Sequence, residues 1–380
     1  MLHICCAPDA TSVFERLCEK FNVTGFFYNP QIEPQEEYCK RLVETRKVAD
    51  AMGFKLIEGP RDVDEWTKFI HGLEDEPEKG RRCELCYKFR LQATAKLAAS
   101  ERFNYFTTTL SVSPHKSFNW LRDMGNALAL KYGVEFLAED FKKQEGFKRS
   151  LEISNELGLY RQDYCGCEAS LKARKRTIAE QDRLFRQFAD KLRACSRCSE
   201  FLEPAVVFQG GANRPIFIIG QAPGRHELKS LKPFSGPAGK RLWQWFADLG
   251  YKEELIRSKA HITAVAKCYP GLASNGKDDA SPSGQQRRNC LSWLEAEFSH
   301  ARPKLLILIG SVAAKTILGK TAGMDLVGEL VQKRIWKRKV QIIVLPHPSG
   351  LNRWPNMSSN KPKFAAALQI LKKELDRIFT

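Results

Sequence analysis

A chain of 380 residues is long enough for two domains of roughly 100–200 residues each. Its 43% apolar and 28% charged residues describe a globular protein and argue against a fibrous or disordered one. The net charge of +17 lies in one half, because residues 1–190 hold 30 Lys+Arg against 30 Asp+Glu, whereas residues 191–380 hold 31 against 14. A half that basic is the footprint of something that meets a phosphate backbone, although charge alone names no partner.

The chain opens on HICCAPD (3–9), which reads as the end of a first strand running into a turn. Strands are predicted at 23–29, 54–59, 105–110 and 134–140, with amphipathic helices at 35–52, 84–100 and 116–132 between them. The stretch 170–195 is charged, helical in period and free of Pro and Gly, so it is expected to be a helical connector. Beyond it come strands at 215–220, 260–268, 303–310 and 340–346, and the low-complexity stretch 271–284 is expected to be an exposed, mobile loop. Strands that alternate with helices predict parallel sheets covered on both faces. The expectation is α/β: two three-layer α/β/α domains with mostly parallel sheets, 1–178 and 179–380. No apolar run approaches the roughly 18 residues that cross a bilayer. The first residues lack the basic and apolar regions of a secretory signal, so a cytoplasm is expected.

In that compartment disulfides are rare, and thiol clusters read as metal sites or redox groups. Of the twelve cysteines only Cys18 and Cys39 look incidental. In the first half Cys5 and Cys6, Cys83 and Cys86 (in RRCELCYKFRL), and Cys165 and Cys167 (in LYRQDYCGC) form three close pairs. Six thiols exceed what one tetrahedral zinc takes. Iron–sulfur ligation uses four, which leaves two thiols and Asp9 for a harder metal position. A structural zinc with two spare thiols is the competing reading. Asp9 is read as a metal ligand, the alternative being the N-cap of the following helix.

With FYNPQIEPQEEYCKR and TTTLSVSPHK, these motifs resemble the epoxyqueuosine reductases of the QueH type over about residues 1–178. The resemblance implies a Rossmann-like or HUP-like domain and reduction of epoxyqueuosine to queuosine at the wobble position of tRNA. It also implies a 4Fe–4S cluster with an adjacent iron, held by the paired cysteines and Asp9, and an external electron donor. Removing an epoxide oxygen needs two electrons and a Lewis acid, which such a centre supplies. Tyr160 and Arg161 are candidates for substrate or proton handling. Arg81, Arg82, Lys88 and Arg90 flank the second thiol pair as candidate tRNA-phosphate contacts, or else as a solvated helix face. The first strand begins almost at Met1, which is compatible with a trimmed start.

In the second half Cys195, Cys198, Cys268 and Cys290 complete a set of four that suits zinc or a cluster. IIGQAPGRHE (218–227), PFSGPAGKRLWQWF (233–246) and LPHPSGLNRWPN (345–356) follow in an order that resembles the iron–sulfur branch of the uracil-DNA glycosylase superfamily, over about residues 190–375. The resemblance implies a flipped base stacked on Phe234, His347 stabilising negative charge on the base carbonyl, Gln221 and Asn352 in the base site, and a 4Fe–4S cluster on the four cysteines. It also exposes departures: Gln221 and Ala222 stand where such enzymes carry a carboxylate, and Ala264 stands where an Asn reads the uracil edge. Polar edges left unread cost selectivity, so efficient uracil excision is not expected. The reading is thus a tRNA-modifying reductase fused to a glycosylase-like module that binds nucleic acid. The alternatives are an active base-excision enzyme on DNA in the second half, or a noncatalytic binder there.

Overall fold

A computed structural model describes residues 1–200, 204–319 and 323–379. The chain divides into two compact units, Met1–Thr177 and Ile178–Thr380.

The first unit is a five-stranded parallel sheet of β1 (Leu2–Ile4), β2 (Thr24–Phe27), β3 (Lys55–Glu58), β4 (Tyr105–Thr108) and β5 (Glu135–Phe136), in the order β3-β2-β1-β4-β5. Its helices are α1 (Ala7–Leu17), α2 (Gln35–Met52), α3 (Val63–Phe69), α4 (Arg81–Ser100), α5 (Phe118–Tyr132) and α6 (Gly146–Glu156). Alternation sorts β1 between two cores: Leu2 and Ile4 pack with α1 and with Val48 and Ala49 of α2, while Met1 packs with Leu91 and Ala95 of α4 and Leu121 and Leu128 of α5. That gives three layers with β1 at the centre, buried on both faces as parallel strands are. The strand order reverses direction beside β1, and in open α/β sheets the crevice beyond the carboxyl ends at such a reversal is where sites form. Helices α2 and α5 end on Gly53 (φ +74) and Gly133 (φ +69), left-handed caps that a Cβ would penalise.

A 26-residue helix, α7 (Glu168–Arg193), fills the predicted connector, and its Phe185, Ala189 and Leu192 pack on Phe208 and Ala212 of the second unit. That unit holds β6 (Ile216–Gly220), β7 (Ala260–Ala264), β8 (Leu305–Ile309), β9 (Leu330–Ile335) and β10 (Arg338–Leu345) in the order β7-β6-β8-β10-β9. Among the described strands only β9 runs antiparallel. Its helices are α8 (Arg225–Ser230), α9 (Pro237–Asp248), α10 (Glu253–Lys259), α11 (Gly284–Ala301), α12 (Gly310–Leu318) and α13 (Lys361–Phe379). The uninterrupted apolar runs of β6 and β8 are wholly buried within one large core. Strand β9 escapes sequence reading because its run LVQKRI leaves only Ile335 fully buried. The stretch 271–284 carries a bridge between Leu272 and Asp279, and Arg225 pairs with Asp279 at 3.0 Å, so it is tied to the unit at that point. Among the described residues no helix is long and apolar enough to cross a membrane.

Gly125 of α5 lies under Phe136, and a Cβ there would come within 2.3 Å of the ring. Gly125→Ala is therefore expected to destabilise the first unit by about 1–3 kcal/mol through overpacking. A lowered denaturant midpoint with unchanged far-UV circular dichroism checks it.

Candidate metal centres and a base cleft

The turn from β1 into α1 brings the first three donors together. Cys6 is the N-cap residue, Asp9 lies in the first turn, and no side chain makes a capping bond there. Asp9 is therefore left for other use. The Sγ of Cys5 lies 3.9 Å from that of Cys6 and 3.8 Å from Asp9 Oδ2, and one donor atom from each residue falls within 4.8 Å of the others. Thr109 fixes the turn, accepting from the Cys5 backbone N–H at 3.1 Å and donating to Cys5 Sγ at 3.3 Å. Burial pushes the Asp9 carboxyl up. The Cys6 thiol is raised well above its ordinary value by its contact with Cys5 and by burial. Ligation by a cation would remove those costs.

Cys83 and Cys86 from the start of α4, with Cys165 and Cys167 from the loop before α7, line a single small cavity with Gln31, Tyr87 and Lys116. Burial raises Cys83 and pushes Cys86 up to about 12. The Lys116 ammonium donates to Cys165 Sγ at 2.9 Å. Burial disfavours its charge, but Cys165 and Tyr87 outweigh that and hold it above the usual lysine value. Arg41 pins the loop, donating to Cys165 O at 2.9 Å and to Tyr164 O at 3.2 Å while pairing with Glu37 at 2.7 Å.

Between the two donor groups lies Arg90, which is 2% exposed. It donates to the Cys86 carbonyl and to Asn29, itself bonded to Ile4 O at the end of β1. Its Nη2 is buried without a partner, and its charge acts on Cys86, Cys5 and Cys165. Among the described residues neither Arg90 nor Lys116 has a carboxylate within salt-bridge distance. Buried Arg90 and half-buried Lys116, set among these thiols, suit an anionic, sulfur-ligated group. One tetrahedral ion would leave three of the seven donors unused.

The other residues singled out in this unit separate. Arg82 is 3% exposed and donates to the carbonyls of Glu74 and Glu76. Its burial and that of Arg90 remove both from any set that could meet tRNA phosphates, leaving Arg81 and Lys88 exposed on α4. The Tyr160 hydroxyl donates to the Glu37 carboxylate, and burial together with that bond pushes its pKa up to about 12. Tyr160 is thus a poor acid with its proton committed, and it braces the loop instead. Arg161 is exposed, donates to Ser154 Oγ at 3.3 Å, and its charge bears on Asp9. Sequence reading passed over Lys116, Arg41 and Thr109. Lys116 and Thr109 stand in the quoted motif TTTLSVSPHK and Arg41 closes FYNPQIEPQEEYCKR, but neither motif shows that these side chains reach the thiol pairs.

In the second unit Cys195, Cys198, Cys268 and Cys290 line one cavity. Trp293 Nε1–H donates to Cys195 Sγ at 3.2 Å, Asn289 Nδ2–H to Cys198 Sγ at 3.3 Å, and the Lys267 backbone N–H to Cys290 Sγ at 3.5 Å. Burial raises Cys290 and pushes Cys268 up to about 11. Beside it a separate cleft of about 660 Å³ opens at the carboxyl ends of β6, β7 and β10, lined by Gln221, Ala222, Phe234, Ala264, His347 and Asn352 among others. Phe234 covers Gly220 so closely that a Cβ there would lie 2.9 Å from the ring. The Ser349 N–H donates to His347 Nδ1 at 3.2 Å, and burial lowers the His347 pKa. The imidazole is therefore neutral at pH 7 with its proton on Nε2.

Asn352 lines the cleft, but its amide is spent on the fold: Nδ2 donates to His347 O at 2.8 Å, and Oδ1 accepts from Trp354 N–H. It shapes the His347 loop. Gln221 Nε2 donates to Ser281 Oγ at 3.0 Å. Glu227, also at the cleft, accepts from the N–H groups of Gly224 and Gly236, so its carboxylate ties two loops together. A buried network joins cleft to cavity. Lys267, next to Cys268, donates to Thr263 Oγ1, to Ala264 O and to Glu297, which also takes His261 and Thr263.

Each unit thus presents a sulfur-lined centre beside the carboxyl ends of a parallel sheet, the first with carboxylate and cations added, the second with a cleft. These features define an α/β domain with a candidate metal site joined to a second α/β domain with a cleft of its own. Residues 1–173 match the family described as epoxyqueuosine reductase QueH, and residues 207–372 match the uracil DNA glycosylase superfamily. Proteins named epoxyqueuosine reductase QueH are similar over the first unit. The one from Streptococcus pyogenes is 36% identical over 178 residues, 45% of this chain and 70% of that protein. Those from Thermotoga maritima and Staphylococcus epidermidis are 37% identical over 187 residues (48% and 95%) and 35% identical over 175 residues (44% and 74%). The chain belongs to the epoxyqueuosine reductase QueH family and carries a uracil-DNA glycosylase superfamily domain after it.

In the metal-free chain, the raised Cys86 pKa means a small thiolate fraction at pH 8, and the thiolate is what alkylates. Iodoacetamide is expected to label exposed Cys18 and Cys39 more than about 100-fold faster than Cys86. Timed peptide mass spectrometry after chelation and reduction measures the ratio.

Proposed function

We propose that this chain reduces epoxyqueuosine in tRNA to queuosine, in a cytoplasm, with electrons from an external donor. The reading is carried by the convergence of Cys5, Cys6 and Asp9 within 4.8 Å, with four further thiols lining one cavity next to them. Cys83, Cys86, Cys165 and Cys167 would hold a 4Fe–4S cluster, and Cys5, Cys6 and Asp9 an adjacent iron. When bound, such a centre supplies electrons and a Lewis acid for the epoxide oxygen. The reaction balances as epoxide plus two electrons and two protons giving alkene plus one water. Arg90 and Lys116 offset the negative charge of the ligands inside the protein, and Arg161 at the exposed edge holds polar groups of the nucleoside near Asp9.

The second unit binds the nucleic acid without excising a base efficiently. Four cysteines there would hold a second cluster, Phe234 stacks on a base, and the His347 Nε2–H donates to a base carbonyl. Neither Gln221 nor Ala222 can orient an attacking water as a carboxylate does, and Ala264 cannot read a base edge. Base excision on DNA is the second reading, favoured by the His347 tautomer. The basic half is the surface that brings tRNA to the reductase.

Anaerobic preparation, with iron and acid-labile sulfide counted and epoxyqueuosine-containing tRNA supplied, tests the reading. Asp9→Ala or Cys5→Ser is expected to lower iron with sulfide unchanged, and Cys83→Ser or Cys165→Ser to lower both. Each should reduce turnover by more than about 100-fold. Zinc alone, without conversion, would overturn the assignment. On uracil-containing DNA, base release is expected at least about 100-fold below that of a glycosylase with its carboxylate. His347→Ala serves as the control in the strand-cleavage assay.

A further inference from the structure

The basic charge of the second half is concentrated. No Asp or Glu occurs between Glu329 and Glu374, while Lys333, Arg334, Lys337, Arg338 and Lys339 crowd the β9–β10 hairpin. All five are exposed, and among the described residues none has a carboxylate within salt-bridge distance. Lys337, Arg338 and Lys339 join Arg302, from the end of α11, around an open depression floored by Phe298 and Trp336.

The hairpin turn is a second observation. Ile335 pairs with Arg338, leaving a two-residue turn of Trp336 and Lys337, both with positive φ (40° and 71°). Such turns favour Asn and Gly because any other residue is strained there, by about 1–2 kcal/mol per position. Trp336 gains a contact, its ring meeting Phe298 edge-on at 5.2 Å between centroids. The Lys337 carbonyl accepts from Arg334 Nη1 at 3.3 Å, which leaves its ammonium at the exposed turn beside Arg338 and Lys339.

Position decides what kind of use. Strand β10 starts at this turn and ends at Leu345, two residues before His347 in the cleft. Depression and cleft therefore lie at opposite ends of one strand, on the order of 25 Å apart at 3.3 Å per residue. A small anionic ligand cannot engage both, whereas a polyanion can.

We propose that Arg302, Lys337, Arg338 and Lys339 form a docking surface for the phosphodiester backbone of tRNA, separate from the base cleft. The surface reads charge and not sequence, since phosphate contacts position a nucleic acid without specifying bases. The tRNA assignment rests on the reductase reading above, while the docking surface is tested by binding alone.

The test uses the full chain and a tRNA transcript, with affinity measured across a salt series by fluorescence anisotropy. Neutralising the turn with Lys337→Gln, Arg338→Gln and Lys339→Gln together is expected to weaken binding about tenfold near 0.1 M salt. It should also lower the slope of log K against log salt by about 3, one for each lost phosphate contact. The charge-keeping set Lys337→Arg, Arg338→Lys and Lys339→Arg should retain the slope, which separates loss of charge from loss of fold. A triple Gln variant that unfolds at the parental temperature yet binds with unchanged slope overturns the inference and gives the hairpin to another acidic partner. Failure of the parent to convert epoxyqueuosine tRNA overturns the reductase reading, a result read in a different assay.

Discussion

Burial of groups that would rather be solvated governs the first unit. Cys6, Asp9, Cys83 and Cys86 all pay desolvation for any charge they carry, while Arg90 and Lys116 sit among them as cations with no carboxylate ion pair among the described residues. An arrangement of this kind is costly as bare protein, because an unpaired buried charge is among the most destabilising features a fold can hold. It becomes favourable when the donors share a group that removes thiol protons and carries negative charge toward the guanidinium and the ammonium. The rest of the unit serves that condition. Parallel strands deliver the β1 turn to the carboxyl edge, α4 begins with the second pair, and Arg41 with Glu37 holds the third pair's loop against α2.

The second unit reuses the same architecture with a different division of labour. Its thiols line one cavity while Phe234 and His347 line another, with the Lys267, Glu297, Thr263 and His261 network between them. Lys267 adjoins Cys268 and bonds to Ala264 at the cleft wall, so it links the sulfur cavity to the cleft. The cleft is lined by the Phe234 ring, the His347 imidazole and three carboxylates, of which Glu227 accepts from backbone amides, Asp279 pairs with Arg225 and Asp278 accepts from Asn275.

Much of this was legible in the amino-acid sequence because it rests on local signals. Alternating strands and helices foretold the two mostly parallel sheets, and close thiol pairs at 5–6, 83–86, 165–167 and 195–198 announced the centres. What stayed hidden depends on tertiary placement. Arg82 and Arg90 look like surface cations by composition, yet the periodicity of α4 turns them inward, where carbonyls and Asn29 receive them. Tyr160 and Asn352 have the right chemistry for a site, but their polar atoms are taken by Glu37 and by the His347 loop. Lys116 was visible only as part of a motif, since nothing within ten residues of it shows that Cys165 lies 2.9 Å away. Strand β9, half exposed and rich in cations, lacks the apolar run that marks its neighbours.

The account stands on several distant thiols of the first unit sharing iron. Anomalous diffraction from anaerobically grown crystals, collected on both sides of the iron edge and at the zinc edge, addresses that directly. It should place an iron–sulfur cluster among Cys83, Cys86, Cys165 and Cys167, with separate iron density beside Cys5, Cys6 and Asp9 and no zinc signal at either position. A lone zinc peak, or iron that touches none of these seven side chains, would contradict it.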